Sequence, residues 1–389
     1  MRTSTRKSAI YFSLLVLLTP ALMCCSKKSG LDIPNILASY DLKVTFAPIE
    51  TKITDGKINL LYSVEALNFE KDGYKLKDFQ VINAVNGAVL ATISDTGKYL
   101  LIHKPTMQSI AEGLFAYPMP GNTTYRFSIG MEFDPAVVPQ KIKHRLVLLK
   151  DAKESTIDAA ETAVSKESVT ITGAPFKGNG FVSECTTTFL PFNHHPTYQF
   201  TYKGMARVAE RYCVDWLKVD AAGKLFHGDQ TVCSNWYVYG QNIYAATAGE
   251  VVFVQEGMPD QSPVGTVKDV NIYNGTGNSV TVTTGVNYAV YGHMIPNSIA
   301  VKVGQAVTKG QLIGRVGNSG NSQAPHLHFG IHTEYPYYIS EGLPYYIDSF
   351  EKAGTLANPD LTGGTLVLLP SPSARTNELM ENCGVYNFK

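Results

Sequence analysis

Residues 301–329 read VKVGQAVTKGQLIGRVGNSGNSQAPHLHF. Short apolar pairs alternate with glycines at turn positions, which is typical of short antiparallel strands joined by tight corners. The stretch ends in His326-Leu327-His328. Because side chains alternate along a strand, we expect the two histidines on one face of the sheet and Leu327 on the other. Two imidazoles on one face suit metal binding or acid–base chemistry.

The sequence before this stretch also predicts strands. Glu250-Val-Val-Phe-Val and Ser279-Val-Thr-Val are short runs rich in β-branched residues, and such runs favour strands over helices. The sequence shows no helical periodicity long enough to form a core helix. We therefore expect residues 169–389 to form an antiparallel β-domain.

The first half of the chain has a similar pattern without candidate chemistry. Between Tyr40 and Leu149, short alternating runs are separated by Asp-Gly and Asn-Gly dipeptides, which are turn signals. Strands at this spacing predict an immunoglobulin-like sandwich over residues 26–168. The polar stretch 151–168 predicts a brief helix or a loop and marks the domain boundary. His144 stands apart from other histidines, and we expect a structural role for it.

Composition sets the outer limits of these predictions. The chain has 389 residues, which at roughly 150 residues per domain suggests two domains. Lys and Arg number 33, Asp and Glu also 33, and the net charge is 0. A neutral chain lacks the basic excess of a nucleic-acid-binding protein. Hydrophobic residues make up 44%, too many for a disordered chain.

Residues 1–25 resemble an export signal. A basic start precedes an apolar run, Ala9–Leu18, and this run of about ten residues is too short to span a bilayer, which takes about twenty. Cys24-Cys25 then stands where a cleavage site is expected. This junction resembles a bacterial lipoprotein signal, in which a cysteine is lipidated; a plain signal peptide is the alternative. Both predict export to the bacterial cell envelope, and the first predicts a lipid anchor at the periplasm or outer membrane.

Export changes what the remaining cysteines predict. Cys185, Cys213, Cys233 and Cys383 would reach an oxidising compartment, where disulfides persist. We expect at least one disulfide among them. Cys185 and Cys233 flank the predicted strand around Asp215 and are the favoured pair.

Several motifs of the second half occur in the order found in one enzyme family. GEVV, NSVTV, YAVYGHM, VKVGQAVTKGQLIGRVGNSGNS and PHLHF resemble the M23 family of zinc metallopeptidases, the lysostaphin-like endopeptidases that cut peptidoglycan cross-bridges. The resemblance covers Arg207 to Phe350. The preceding sandwich is similar to the N-terminal part of a bacterial M23 subgroup. The resemblance implies a compact antiparallel β-fold with its site in a groove, zinc (Zn2+) as cofactor and peptidoglycan peptides as substrate.

The resemblance also implies roles for individual residues. Asp215 and His328 match two metal ligands of the family. His326 matches the histidine that acts on the zinc-bound water, and His293 matches a histidine that polarises the substrate or stabilises the charge of the intermediate. Such a site combines a metal that activates water with a histidine that moves a proton.

One position departs from the family pattern. The family's first ligand is a histidine four residues before the aspartate, and Arg211 stands there. Arginine has no lone pair to give to a metal, so we expect it to pair with a carboxylate. A catalytic zinc normally has three protein ligands. The candidates for the third are the His194-His195 pair, with His195 preferred, and Cys213.

Two other histidines are predicted to lie outside the site. His227-Gly-Asp229 has the wrong spacing and a turn-like context, which predicts a loop. His332 shares the face of His328 but is expected at the solvent-exposed end of its strand.

Three functions remain open from the sequence. The first is a zinc endopeptidase acting on cell-wall peptidoglycan. The second is a catalytically degenerate M23-like module that binds cell wall or regulates another cell-wall hydrolase, which the Arg211 replacement favours. The third is a polysaccharide-binding surface lipoprotein that stacks sugars on tyrosines such as those of Tyr335-Pro-Tyr-Tyr.

Overall fold

The structure is a computed structural model that describes residues 42–67, 73–93, 100–103, 124–184, 195, 199–202 and 205–389. Regular structure in these ranges is almost entirely β-strand, which confirms the predicted fold class. The predicted signal segment, Cys185 and His194 lie outside the described residues. In the described ranges there is no helix whose length and apolar character would let it cross a membrane.

Two antiparallel sheets form the N-terminal part. The strands are β1 (Leu42–Phe46), β2 (Thr51–Lys52), β3 (Ile58–Leu67), β4 (Lys75–Asn83), β5 (Val89–Ile93), β6 (Leu100–His103), β7 (Thr124–Phe133), β8 (Lys141–Lys150) and β9 (Lys153–Ala163). One sheet has the order β1-β3-β7-β6, with β2 on β3, and the other has the order β5-β4-β8-β9. Leu60, Phe79, Phe127 and Leu146 belong to one buried cluster between them. The two sheets therefore form a sandwich; its immunoglobulin-like character stays a prediction.

The helix or loop predicted at residues 151–168 is wrong. This segment contains β9, which forms a hairpin with β8. The two-residue turn consists of Asp151 and Ala152, whose φ angles of 48° and 59° match the twist of a tight hairpin. Asp158 on β9 forms an ion pair with Arg145 on β8. The sequence pattern did not indicate a strand here, because the strand lies at a sheet edge and presents mostly polar side chains to solvent.

The C-terminal part is built on an eleven-stranded sheet. Its strands, with shorter accessory ones, are β10 (Thr170–Thr172), β11 (Gly178–Glu184), β12 (Gln199–Tyr202), β13 (Met205–Val208), β14 (Val214–Lys218), β15 (Asn242–Tyr244), β16 (Gly249–Gln255), β17 (Asn278–Thr283), β18 (Tyr288–Met294), β19 (Ala306–Val307), β20 (Leu312–Arg315), β21 (Leu327–His332), β22 (Gly342–Leu343), β23 (Tyr345–Ile347), β24 (Phe350–Asp360), β25 (Gly363–Arg375) and β26 (Gly384–Phe388). The order β19-β16-β17-β18-β21-β14-β11-β26-β24-β25, with β22 on β21, places β21 and β14 side by side in its middle.

A second hydrophobic cluster supports this sheet. Trp216, Tyr291 and Phe329 are fully buried in it. The sandwich residues Ile53 and Leu61 also belong to this cluster, so the two parts share buried apolar surface. We propose residue 169 as the start of the second domain, because β10 pairs with β23 of the second part.

Arg211 lies where the two parts meet, and its predicted pairing with a carboxylate is confirmed. Its Nε donates to Glu341 Oε1 at 2.8 Å, and its Nη2 donates to Ser63 Oγ of the sandwich at 2.8 Å. The guanidinium also lies over the ring of Phe46, 4.4 Å from its centroid. A buried arginine needs such compensation, because an uncompensated charge in the interior is costly.

The predicted disulfide is wrong. Cys213, Cys233 and Cys383 are free thiols. Cys233 is held in a loop, where its Sγ donates to Gln261 O at 3.6 Å. Burial raises the pKa of Cys213 well above its ordinary value and that of Cys383 to about 11. These two buried thiols therefore act as small apolar groups.

His144 is a neutral histidine in the sandwich core. Its Nδ1 donates to Ala160 O at 2.9 Å, and its Nε2 accepts from Tyr62 OH at 2.9 Å. Burial lowers the pKa of His144 to about 4. In the unfolded chain the pKa of the same histidine is about 6.5. Below that pH the unfolded state binds a proton that the folded state does not, so acid destabilises the fold.

We therefore predict that His144→Gln reduces the dependence of stability on pH. Through His144 the wild type should lose up to about 3 kcal/mol as the pH falls from about 6.5 to about 4. Urea unfolding at several pH values in this window measures the slope. His227→Gln is the control, because His227 is exposed. Equal slopes for wild type and His144→Gln would contradict the assignment.

Candidate metal centre

Three neighbouring strands of the large sheet bring the predicted site residues together. Asp215 on β14 lies directly opposite His328 on β21. On the other side of β21, Gly292 of β18 lies opposite His328, and His293 follows in the same strand. His326 immediately precedes β21. The predicted alternation therefore places His326 and His328 at the same strand end, beside Asp215.

His195, Asp215 and His328 form the core of the site. His328 Nδ1 lies 2.9 Å from Asp215 Oδ1, and His195 Nε2 lies 3.3 Å from Asp215 Oδ2. The two imidazole rings meet edge to face at a centroid distance of 5.1 Å. One potential ligand atom from each residue lies within 4.8 Å of the others, and all three residues are buried. This spacing is close enough for one ion to contact all three.

The orientation of His195 is fixed by a hydrogen bond at the ring nitrogen that does not face Asp215. Its Nδ1 donates to the carbonyl oxygen of Cys213 at 3.1 Å. This hydrogen bond holds the tautomer in which Nε2 carries a lone pair and faces Asp215. Metal-binding histidines commonly use their second nitrogen in this way.

The donor set fits a divalent metal such as zinc. Two imidazoles and one carboxylate are a typical set for a catalytic zinc, with one position left for water. His328 Nε2 is buried and has no hydrogen-bond partner among the described residues. The nitrogen that faces Asp215 is the other one, Nδ1, and it is the atom that an ion shared with Asp215 would contact. Imidazole and carboxylate also bind other first-row metals, so the residues fit zinc without excluding its neighbours.

His326 and His293 line the same site. Their ring centroids are 4.5 Å apart, and His326 Nε2 lies 3.6 Å from Asp215 Oδ1. His326 Nδ1 donates to Ala324 O at 2.8 Å, and His293 Nδ1 donates to Ser319 O at 2.7 Å. Each ring therefore has its Nε2 free to accept a proton.

The charges of the site depend on one another. Burial alone would raise the pKa of Asp215, but His195 and His326 outweigh it and hold that pKa well below its usual range. Burial lowers the pKa of both His293 and His326. Neighbouring histidines lower it further, whereas the charge of Asp215 opposes the shift. The site thus combines an ionised carboxylate, the form in which an aspartate binds a metal, with neutral rings at His293 and His326.

Sequence reasoning missed two carboxylates beside the site. Burial and the charge of Asp215 raise the pKa of Glu184, opposite Asp215 in the sheet, to about 7. Glu210 is buried, and its Oε1 accepts a hydrogen bond from Tyr337 OH at 3.1 Å. The ring of Tyr337 packs edge to face on His328 at 6.4 Å. Their proximity follows from the sheet order and from the loop after β21, which spacing along the chain did not show.

The remaining candidates lie apart from the cluster. Cys213 Sγ contacts Ala209 O at 3.7 Å and His332 Nε2 at 3.8 Å, and it is absent from the group that could hold a metal. The expected exposure of His332 is wrong: it is fully buried, and its Nδ1 lies 3.0 Å from Ser340 Oγ. Burial lowers the pKa of His332 to about 3. His227 lies in an exposed turn, as its spacing predicts.

Comparison with known proteins agrees with part of this picture. Residues 236–338 match the model of Peptidase family M23, a range that includes His293, His326 and His328. No protein of curated function matches the chain.

Three of the solved structures similar to the chain are peptidases or M23 proteins. The catalytic domain of the antimicrobial peptidase lysostaphin from Staphylococcus simulans shares 23% identity over 36% of this chain and 78% of its own, with a TM-score of 0.23. A catalytic domain of a prophage-encoded M23 protein from Enterococcus faecalis shares 22% identity over 44% and 92%, with a TM-score of 0.27. A zinc containing peptidase from Vibrio cholerae shares 14% identity over 78% and 86%, with a TM-score of 0.24. On the family match, residues 236–338 form a Peptidase family M23 domain.

Proposed function

We propose that the protein is a zinc-dependent endopeptidase that hydrolyses peptide bonds in bacterial cell-wall peptidoglycan. The observation that carries the proposal is the position of His195. It lies against Asp215 and within reach of a metal shared with His328. This histidine supplies the third ligand that the chain lacks at Arg211. The family match of residues 236–338 supports the class of reaction.

In this proposal His195, Asp215 and His328 hold the ion. A zinc ion supplies Lewis-acid chemistry when bound: it polarises a peptide carbonyl and makes water a better nucleophile near neutral pH. The carboxylate of Asp215 is ready to bind a metal without losing a proton, because its pKa is already low.

His326 is placed to move protons. Its side chain is 13% exposed, against 1% for His195 and 4% for His328, so it borders the side from which substrate and water arrive. With Nδ1 bonded to Ala324 O, its Nε2 accepts a proton from the attacking water and returns it to the leaving amine nitrogen. This transfer is general acid–base catalysis.

His293 has a narrower role than the family resemblance implies. Its Nδ1 proton is held by Ser319 O, and burial keeps the pKa of the ring low. The Nε2 of a neutral ring in this tautomer is an acceptor. His293 therefore suits holding the water or a substrate N–H, and it does not suit donating to a negatively charged carbonyl oxygen.

We further propose where the protein acts. The resemblance of residues 1–25 to a lipoprotein signal supports export and a lipid anchor at the envelope, next to peptidoglycan. The alternative function is a catalytically degenerate M23-like module that binds cell wall or regulates another hydrolase. The replacement at Arg211 is the observation that favours it.

Removing a proposed ligand should remove the metal. We expect about one zinc per chain in the purified wild type and less than about a tenth of that in His195→Ala, Asp215→Ala and His328→Ala. Each change leaves two protein ligands, which hold zinc weakly. Elemental analysis after dialysis against a mild chelator measures the metal.

His227→Ala is the matched control, because His227 is an exposed histidine in a turn. It should retain zinc as the wild type does. Equal zinc content in wild type and His328→Ala would refute the proposed ligand set.

Removing His326 should separate catalysis from metal binding. We expect His326→Ala to keep its zinc and to lose about 100- to 10,000-fold in the rate of peptide cleavage, because only the proton transfer is removed. Release of new amino groups from purified peptidoglycan measures cleavage. Unchanged cleavage would rule out this role, and a wild type that binds zinc but cleaves nothing would favour the degenerate module.

A further inference from the structure

A tight turn connects the sandwich to the metal centre. The turn, Val208–Cys213, directly precedes β14. Arg211 N donates to Val208 O, and Cys213 N donates to Glu210 O. Tyr212 has a φ of 61°, a conformation that a bulky residue adopts only when its surroundings impose it. Contacts from both sides of the turn impose this conformation.

The sandwich supplies three of these contacts. Ser63 Oγ on β3 accepts a hydrogen bond from Arg211 Nη2 at 2.8 Å. On the same strand, Leu61 O accepts one from Tyr212 OH at 3.1 Å. The ring of Phe46 on β1 lies under the guanidinium of Arg211. The polar contacts are buried, so water does not compete for them.

The C-terminal part packs against the opposite side of the turn. Glu341 accepts from Arg211 Nε at 2.8 Å through Oε1 and from Val208 N at 3.2 Å through Oε2. Next to it, Gly342 approaches so closely that an added Cβ would lie 2.0 Å from Arg211 O. The turn therefore has little room to move between Glu341 and the sandwich.

The same turn ends at the group that orients His195. Cys213 O accepts the hydrogen bond from His195 Nδ1, and Asp215 follows two residues later. A shift of the turn would move the carbonyl that aims His195 and the start of the strand that carries Asp215. Because a metal tolerates only about 0.2 Å of variation in ligand distance, such a shift would weaken binding.

We propose that the sandwich, through Ser63 and Arg211, positions His195 and Asp215 for the metal. Arg211 thus occupies the place of the family's first ligand and acts as a positioning residue, while the ligand role passes to His195. Ser63 is a positioning residue that acts through Arg211. The inference rests on the proposed zinc site and goes beyond it by giving the N-terminal sandwich a part in building that site.

The test is the zinc affinity of full-length Ser63→Ala. The change removes one acceptor from Arg211 and touches no proposed ligand. We expect zinc affinity about 10- to 100-fold weaker than in the wild type, the usual effect of disturbing groups behind the ligands. Competition with a chromophoric chelator measures the affinity. The visible spectrum of the cobalt-substituted protein should also change, because it reports the geometry of the ligands.

Tyr346→Phe is the matched control. The Tyr346 hydroxyl accepts a hydrogen bond from Lys52 N at 2.9 Å, so this variant loses an interface contact of the sandwich that involves neither Ser63 nor Arg211. It should keep the affinity and the cobalt spectrum of the wild type. An equal loss of affinity in Tyr346→Phe would show a general effect of interface stability and would overturn the inference.

If Ser63→Ala does not fold, Phe46→Leu tests the same positioning role of the sandwich. Phe46 is only partly buried, and leucine keeps its apolar bulk while removing the ring face under Arg211. We expect the zinc affinity of Phe46→Leu to be weaker than that of the wild type, by less than in Ser63→Ala. If the folded variants keep the zinc affinity and the cobalt spectrum of the wild type, the positioning role is overturned and the proposed function is not. If the wild type itself binds no zinc, the proposed function is overturned as well.

Discussion

The register between β14 and β21 is the constraint on which the site depends. It places Asp215 directly opposite His328 in the middle of the large sheet, with Trp216 and Phe329 packed into the core beneath. An ionised carboxylate at such depth requires compensation, which His195 and His328 provide. A slip of β14 by one residue would turn the side chain of Asp215 to the core face, while His328 on β21 would stay on the site face. The core packing that fixes the register therefore also fixes the chemistry.

Arg211 is compatible with the proposed three-ligand site, although it stands where the family pattern has its first ligand. Its guanidinium is paired with Glu341, so its charge is neutralised and does not compete with a cation in the site. The imidazole of His195 occupies the space beside Asp215 instead. An arginine can replace a metal ligand only where another carboxylate neutralises its charge, because two cations near one carboxylate would repel each other.

The sequence predicted much of the fold and of the site, for identifiable reasons. Strand alternation predicted that His326 and His328 share one face. Because arginine cannot bind a metal, the sequence also offered the His194-His195 pair and Cys213 as candidates for the third ligand. Other features depend on contacts between distant segments. The edge strand β9 is stabilised by charges on β8, the thiol of Cys233 is engaged by Gln261, and Glu210 reaches Tyr337 across 127 positions of sequence. No local pattern encodes such contacts, so they could not be predicted from the chain alone.

Zinc K-edge X-ray absorption of the full-length wild type beside His195→Ala is the most direct test of the proposed ligand set. The wild-type ion should have two imidazole ligands at about 2.0–2.1 Å and a carboxylate oxygen, and the metal that His195→Ala still holds should have one imidazole fewer. A wild-type spectrum with a sulfur ligand at about 2.3 Å would assign the third position to Cys213. Either that result or an unchanged number of imidazoles in His195→Ala would contradict the central claim.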